Sequence, residues 1–332
     1  MPDPTPRAPG KAQAARGEAS RAREAPHSRV WRSAREVALM ATLGILRRGA
    51  GDPTFRRDPD GTVWRGVRTP DGPASLRLAV RADLASVVAT AWGPGAEWVL
   101  ASVPSMLGAA DDDSGFVAHH PQVALAARRF PGWRVPRTGL VIEALVPAIL
   151  EQKVTGQEAF GSYRTLVRRY GEPAPGEGGA LGLWVPPDAA TWARIPSWEW
   201  LTASVDGARS ATAVRAASAA GRLEAVTALS HADAARRLRA VPGVGVWTAA
   251  EVHQRALGDP DAVSFGDYHV AKDVGWALLG RRIDDAELAE LLEEWRPHRG
   301  RVQAYVAMAG LGAPRRGPRM SLPTHYPTPL GR

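Results

Sequence analysis

The stretch Leu238-Arg-Ala-Val-Pro-Gly-Val-Gly-Val-Trp-Thr-Ala-Ala250 decides how the rest of the chain is read. Helical patterns flank it, over 231–240 and 246–257, so Pro242-Gly243-Val244-Gly245 is the turn between two helices. Glycine at 243 and 245 permits positive φ, and without a side chain the backbone there can approach another surface closely. The second helix opens near Val246, aiming unpaired N–H groups and the positive end of its dipole outward. A phosphate fits that description, and Gly243, Val244, Gly245 and Thr248 are the residues placed to meet it. An ordinary tight turn between helices accounts for a bare Gly-x-Gly equally well.

The neighbouring blocks narrow the choice. Downstream stands Ser264-Phe-Gly-Asp-Tyr-His-Val270, in which Gly-Asp before Tyr-His-Val suits a helix N-cap. Upstream is Ala148-Ile-Leu-Glu-Gln-Lys-Val-Thr155, and near the end comes Trp295-Arg-Pro-His-Arg299. Apolar-Pro-Gly-Val-Gly-x-x-Thr-Ala followed by this aspartate resembles the helix-hairpin-helix DNA glycosylases. The other two blocks are similar to those of the bacterial type II 3-methyladenine-DNA glycosylases. The resemblance covers roughly residues 35–312 and is strongest over 240–310.

That resemblance implies a mostly α fold with an N-terminal α+β unit, and it assigns roles. Asp267 aligns with the catalytic aspartate, where a carboxylate near C1′ stabilises the oxocarbenium-like sugar of glycosidic cleavage and orients the attacking water. One carboxylate suffices when the leaving group is an already cationic alkylated purine. A helix cap and a catalytic group are not exclusive roles for it. Trp247 resembles the pocket tryptophan that stacks on the flipped base. It also stands where the strand-cutting members carry their Schiff-base lysine, and only Lys11, Lys153 and Lys272 are lysines in this chain. Base removal without strand cleavage is therefore expected, on double-stranded DNA with a damaged base, by a monomer. The resemblance implies no required cofactor; it is compatible with a monovalent cation held by the hairpin backbone carbonyls.

The pattern also departs from the family. One turn after Trp247 the type II enzymes carry an aromatic residue, as they do in the last helix; here those positions are Glu251 and Ala307. Glu251 either reads a base edge or pairs with Arg255 at i+4 on a solvated helix face. Gln152, which the resemblance puts in the base pocket with Trp247, Glu251 and Tyr268, matches the glutamine before the family's intercalating wedge, yet the wedge position itself is Lys153, a cation expected to contact DNA. Tyr268, Arg299 and Arg301 are candidate site or phosphate contacts. Three functions stay open: alkylated-purine excision; the same fold acting on oxidised guanine, mispaired adenine or hypoxanthine; or a non-catalytic DNA-binding module that senses damage.

Composition agrees with a polyanionic partner without requiring one. The formal charge is +8 over 332 residues, the pI is about 10.5, and each neutralised phosphate releases counterions. With no cysteine, disulfides, thiolate zinc sites and thiol nucleophiles are excluded. The eight histidines show no spacing that reads as a metal site. No apolar run is long enough for a membrane span, and the N-terminus lacks a secretory core, so a cytoplasmic protein is expected.

Residues 1–34, with many arginines among Ala, Pro and Ser, read as a disordered basic arm. Residues 35–130 read as an α+β domain: alternating strands at 62–68 and 74–80 after Asp-Pro-Asp-Gly and Thr-Pro-Asp-Gly turns, then helices around 82–92 and 95–107. Residues 131–312 read as an all-helical domain with helices at 139–156, 160–171, 208–221, 231–240, 246–257, 268–280, 284–294 and 298–311. The Gly/Pro-rich 171–187 is a long loop inside it, and 313–332 a mobile tail.

Overall fold

Strand β3 (Val63–Thr69) returns through the Thr69–Gly72 turn into β4 (Gly72–Val80), as the alternation and the turn residues dictate. A computed structural model describes residues 25–314 and places these two strands inside a five-stranded antiparallel sheet. The others are β1 (His27–Arg32), β2 (Phe55–Arg57) and β5 (Ser86–Trp92), in the order β1-β5-β4-β3-β2. A short helix α1 (Leu39–Leu43) precedes β2, and α2 (Ala96–Met106) follows β5. The period-2 pattern sends Leu76, Leu78, Val87 and Ala89 to one face, against Val99, Val103 and Met106 of α2. Fully burying side chains of this size stabilises by roughly 1.5–3 kcal/mol each.

The other face of the sheet is covered too. Trp64 and Trp92 stack at 5.7 Å and pack with Ala174, Leu183 and Val185. These last belong to the 171–187 segment, which is therefore no loose loop: it folds as β6 (Glu172–Pro173), α6 (Gly176–Ala180) and β7 (Trp184–Val185). Trp184 N donates to Pro53 O at 2.8 Å. Any side chain at Gly66 would overlap the Trp184 carbonyl, so the strand has glycine there.

The remaining helices are α3 (Pro121–Arg129), α4 (Val141–Leu150), α5 (Gly156–Tyr170), α7 (Ala189–Arg194), α8 (Ser197–Thr202), α9 (Gly207–Ser218), α10 (Ala220–Glu224), α11 (His231–Arg239), α12 (Val246–Val252), α13 (Val270–Leu279), α14 (Asp285–Leu292) and α15 (Arg299–Met308). Helix α4 is apolar all round because it threads the centre of the helical part; all its residues but Glu143 are buried. Leu145, Ile149, Tyr163, Trp192, Trp200, Leu238 and Val252 form one core with it. A second core gathers Val123, Trp133, Val274, Leu288, Trp295 and Tyr305.

Several expectations are corrected. Residues 27–32 are not part of a disordered arm: β1 pairs along β5, His27 opposite Ala91. Residues 1–24, with the rest of that arm, and most of the 313–332 tail lie outside the described residues. The segment 82–92 holds a strand, since β5 is flanked on both sides by partners that satisfy its backbone. Helix α3 falls inside the expected α+β unit, yet Val123 and Ala126 pack in the C-terminal core, so the boundary near 130 cuts through a packed group. The helix expected over 139–156 stops at Leu150; Lys153 adopts a left-handed backbone (φ 56°) and Thr155 caps the next helix by accepting from Glu158 N. Helices α7 and α8 were not expected.

Ion pairs join the sheet to the helices. Arg65 pairs with Glu143, and Arg48 with Glu151, all four largely buried. Arg255 reaches across to donate to Ile45 O at 3.1 Å.

Candidate active site and nucleic-acid interface

Helix α11 begins at a capped terminus, its Ser230 accepting from Asp233 N. Helix α12 lacks any such cap: Gly245 precedes it in extended backbone (φ −93°, ψ −172°) with no side chain bonded to the first turn. Gly245 and Val246 are exposed, so the unpaired amides of that turn face outward. The two hairpin glycines differ. Gly243 has φ +96° and lies against Thr212, so its backbone requires glycine. Gly245 does not use positive φ, contrary to the sequence reading, and a Cβ there would meet nothing within 4 Å. Its missing side chain serves access, not the turn.

Neighbours brace the hairpin from behind. Gln152 Nε2 donates to Gly243 O at 3.0 Å and to Thr248 Oγ1 at 2.8 Å. Arg215 Nε donates to Pro242 O at 3.3 Å, and Val244 is buried with its amide on Val241 O. Gln152 and Thr248 thus hold the turn, Thr248 from a buried position. Two hairpin carbonyls already have protein donors, so a monovalent cation there would have to share them or use others. Lys153, exposed and left-handed, protrudes beside Gln152; a non-glycine residue in that region costs roughly 1–2 kcal/mol, a strain typical of functional turns.

Asp267 sits where its chain turns through Gly266 (φ +87°) into α13. Its Oδ1 accepts from His269 N at 2.7 Å and Val270 N at 3.2 Å, so it anchors the helix start. Its Oδ2 accepts from Trp247 Nε1 at 3.1 Å. The indole at the second position of α12 and the carboxylate therefore share one partly exposed surface. Val270, whose amide holds the carboxylate, also lines a cavity of about 340 Å³ with Val274, Gln303, Ala307 and the Gly310–Ala313 turn. Ala307, the position at which the resemblance led to an aromatic, lines that cavity with a small side chain.

Glu251 is neither a free acceptor nor on a solvated face. It does pair with Arg255, Oε2 to NH1 at 2.7 Å, but both are buried, and Oε1 accepts from Ser264 Oγ at 2.7 Å. Burial lowers the pKa of Arg255, with Glu251 working against that. Ser264 joins Gln254 and Gln303 to this network: Gln254 Nε2 donates to Ser264 Oγ at 3.0 Å, and Ser264 N to Gln303 Oε1 at 2.9 Å. Gln303, which lines the cavity, was not singled out in the sequence, where a lone glutamine in a helix carries no signal.

The arginine expectations are corrected as well. Arg299 is engaged by Asp261, Nε to Oδ1 at 2.9 Å and NH2 to Oδ2 at 2.6 Å, and does not extend into solvent. Arg301 is fully buried, paired with Asp111 and over the Trp133 ring. Tyr268 is 76% exposed, with Lys272 Nζ 3.4 Å from its ring centroid. The structure thus brings Trp247, Asp267 and the hairpin together, and places Glu251, Gln152 and Thr248 behind them as supports.

No family model matches the chain. The "Probable bifunctional transcriptional activator/DNA repair enzyme AlkA" of Mycobacterium tuberculosis (strain CDC 1551 / Oshkosh) is 31% identical over 191 residues. The match takes in 54% of this chain but only 35% of that protein. A solved 3-methyladenine DNA-glycosylase from Archaeoglobus fulgidus superposes with TM-score 0.72 over 84% of this chain and 97% of that one, at 16% identity. The 8-oxoguanine glycosylase/lyase of Clostridium acetobutylicum superposes with TM-score 0.66 over 86% and 96%, at 12% identity. The fold is that of the helix-hairpin-helix DNA glycosylases. Among the described residues no helix is long and apolar enough to cross a membrane.

Proposed function

We propose that the protein is a DNA glycosylase that flips a damaged purine out of the duplex and removes it by hydrolysis. The single observation that carries this reading is the meeting of Asp267 with Trp247 beside the uncapped hairpin helix. The hairpin amides hold a phosphate of the damaged strand, which fixes where the sugar lies. Trp247 offers a face to the extruded base. Asp267, immobilised by two backbone amides, faces the sugar as C1′ loses its bond to the base nitrogen and gains positive charge. Water attacks C1′ from the carboxylate side and passes its proton to the Asp267 carboxylate, and the base departs with the bonding electrons, a cationic purine leaving as the neutral base. Lys153, in left-handed backbone and exposed next to the hairpin, is the group we assign to the gap in the stack, where its amine would pair with a phosphate.

Monofunctional hydrolysis is the reading supported by Trp247, which stands where the strand-cutting enzymes carry their lysine, a place that neither Lys153 nor Lys272 takes. Alkylated purines are the favoured lesion, because a cationic leaving group needs no acid and the site presents one carboxylate to it. A neutral oxidised or deaminated purine is the second reading, supported by the burial of Glu251 in an ion pair, which removes one source of preference for cationic bases. The substitution Asp267→Asn tests the reading. An asparagine carbonyl keeps the two amide bonds and gives up only the acceptor for Trp247 Nε1, so the fold and DNA affinity persist while single-turnover base release falls by orders of magnitude. Release near the wild-type rate would remove Asp267 from the chemistry. The product on a susceptible duplex is an intact abasic strand that breaks only with alkali or heat; a borohydride-trapped protein–DNA adduct would contradict hydrolysis.

A further inference from the structure

Away from this surface, three metal-binding side chains converge at the open end of the helical hairpin, opposite its turn. His231 is the first residue of α11, and His253 follows α12 directly. After His253 the backbone makes a wide π-turn through Leu257, and Gly258 then adopts φ +69°. The chain is thereby sent back on itself, so that Asp259 N donates to His253 O at 3.2 Å. The Asp259 carboxylate lands between the two imidazoles: Oδ2 is 2.8 Å from His253 Nδ1 and 3.7 Å from His231 Nδ1.

One donor atom from each residue lies within 4.8 Å of the other two. A tetrahedral zinc-like ion with bonds of about 2.0–2.1 Å separates its ligand atoms by about 3.4 Å. The observed separations of 2.8 and 3.7 Å fall on either side of that value. The carboxylate is also oriented from behind, since Asp259 Oδ1 accepts from Asp261 N at 2.9 Å. His253 is buried and its Nε2 has no partner, so the cluster is the ring's sole polar engagement. The His231 side chain, by contrast, is 51% exposed. One side of the cluster is thus open to solvent, which gives an ion an entry path and a position for water.

We propose that His231, His253 and Asp259 bind one divalent transition-metal ion, and that the ion clasps the two hairpin helices at their open end. Two imidazoles and a carboxylate are a borderline donor set, suited to zinc-class ions over magnesium or calcium. The three ligands come from separate elements, so binding the ion selects the packed arrangement of α11 against α12 and stabilises the folded chain by mass action. The spacing along the chain escapes motif reading because the π-turn, and not a fixed sequence interval, brings Asp259 back.

The test uses the full chain, stripped with a chelator and titrated with Zn2+ alone. Calorimetry and elemental analysis after dialysis should give one equivalent per chain, and Zn2+ should raise Tm. His231→Ala changes an exposed side chain and leaves the metal-free Tm near that of the wild type. It should weaken Zn2+ binding at least tenfold and abolish the Tm increase. The paired control His119→Ala/His120→Ala removes two histidines outside the cluster and should bind as the wild type does. Absence of a stoichiometric ion in the wild type, or undiminished binding by His231→Ala, would overturn the proposal and leave the cluster a hydrogen-bonded His–Asp pair.

Discussion

Replacing each hairpin glycine by alanine separates two jobs that the sequence gives to one motif. At Gly245 the backbone is ordinary and the space around a Cβ is empty. Gly245→Ala therefore costs the folded state nothing and restricts the unfolded chain, a gain of about 0.4–1 kcal/mol. The methyl group does project into the open space beside the start of α12, through which a phosphate would approach the uncapped amides. A charge-assisted hydrogen bond lost there is worth about 1.5–3 kcal/mol, or roughly a tenfold to hundredfold rise in Kd for duplex DNA. At Gly243 the terms reverse. Positive φ costs an L-residue about 1–2 kcal/mol, and overlap with Thr212, itself buried, adds about 1–3 kcal/mol. Gly243→Ala should lose about 2–5 kcal/mol of stability, and Thr212→Ala in the same chain should restore the overlap part, because the oxygen and methyl of Thr212 are the atoms in the way. Urea unfolding supplies the stabilities, and fluorescence anisotropy on a duplex carrying an abasic analogue supplies the affinities. A Gly245→Ala protein that unfolds early, or one that binds DNA as the wild type does, refutes the division of labour.

Two further substitutions address residues that the structure moves out of their expected roles. Glu251→Gln keeps an acceptor for Ser264 but strands the buried Arg255 charge, so it should lower stability by about 3 kcal/mol, while the ratio of excision rates for a cationic and a neutral lesion stays fixed; a changed ratio with unchanged stability would return Glu251 to the base pocket. Arg299→Ala should reduce stability through the loss of its paired bonds to Asp261 and leave the slope of log K against log salt unaltered, whereas a phosphate contact would lower that slope by about 1.

What the sequence discloses and what it hides follow from the range of the interactions. The hairpin, β3, β4 and the turn at Asp267 depend on residues adjacent in the chain, and periodicity or turn chemistry makes them readable. Strand β5 is built from Ser, Val, Ala and Thr up to its last residue, Trp92, and these small side chains give no strong alternation; its identity comes from β1 and β4 on either side. The burial of Glu251 is likewise invisible locally. It is enclosed because Arg255 reaches the carbonyl of Ile45, 210 residues earlier, which turns an apparently solvated helix face into an interior one. Arg299 and Arg301 look like a basic edge in the sequence, and each has its acid brought to it by a distant segment, Asp261 and Asp111. Gln152 was expected in the base pocket on the strength of a motif match; its two bonds to the hairpin depend on a turn the helix pattern ran through.

The ion pairs that bolt the sheet to the helices have a mechanical meaning. Arg65–Glu143, Arg48–Glu151 and the reach of Arg255 to Ile45 are interior contacts, and removing one partner of either ion pair would leave the other charge buried and uncompensated at a cost of about 3–5 kcal/mol. A jaw closing around DNA would have to break them at every encounter. On the function proposed above the protein would accordingly act as an anvil: it presents a fixed hairpin, carboxylate and indole, and the duplex would supply the bending and unstacking. Selection of a lesion then begins with the compliance of the DNA itself, since a base already weakened in its pairing costs less to extrude onto a surface that does not yield.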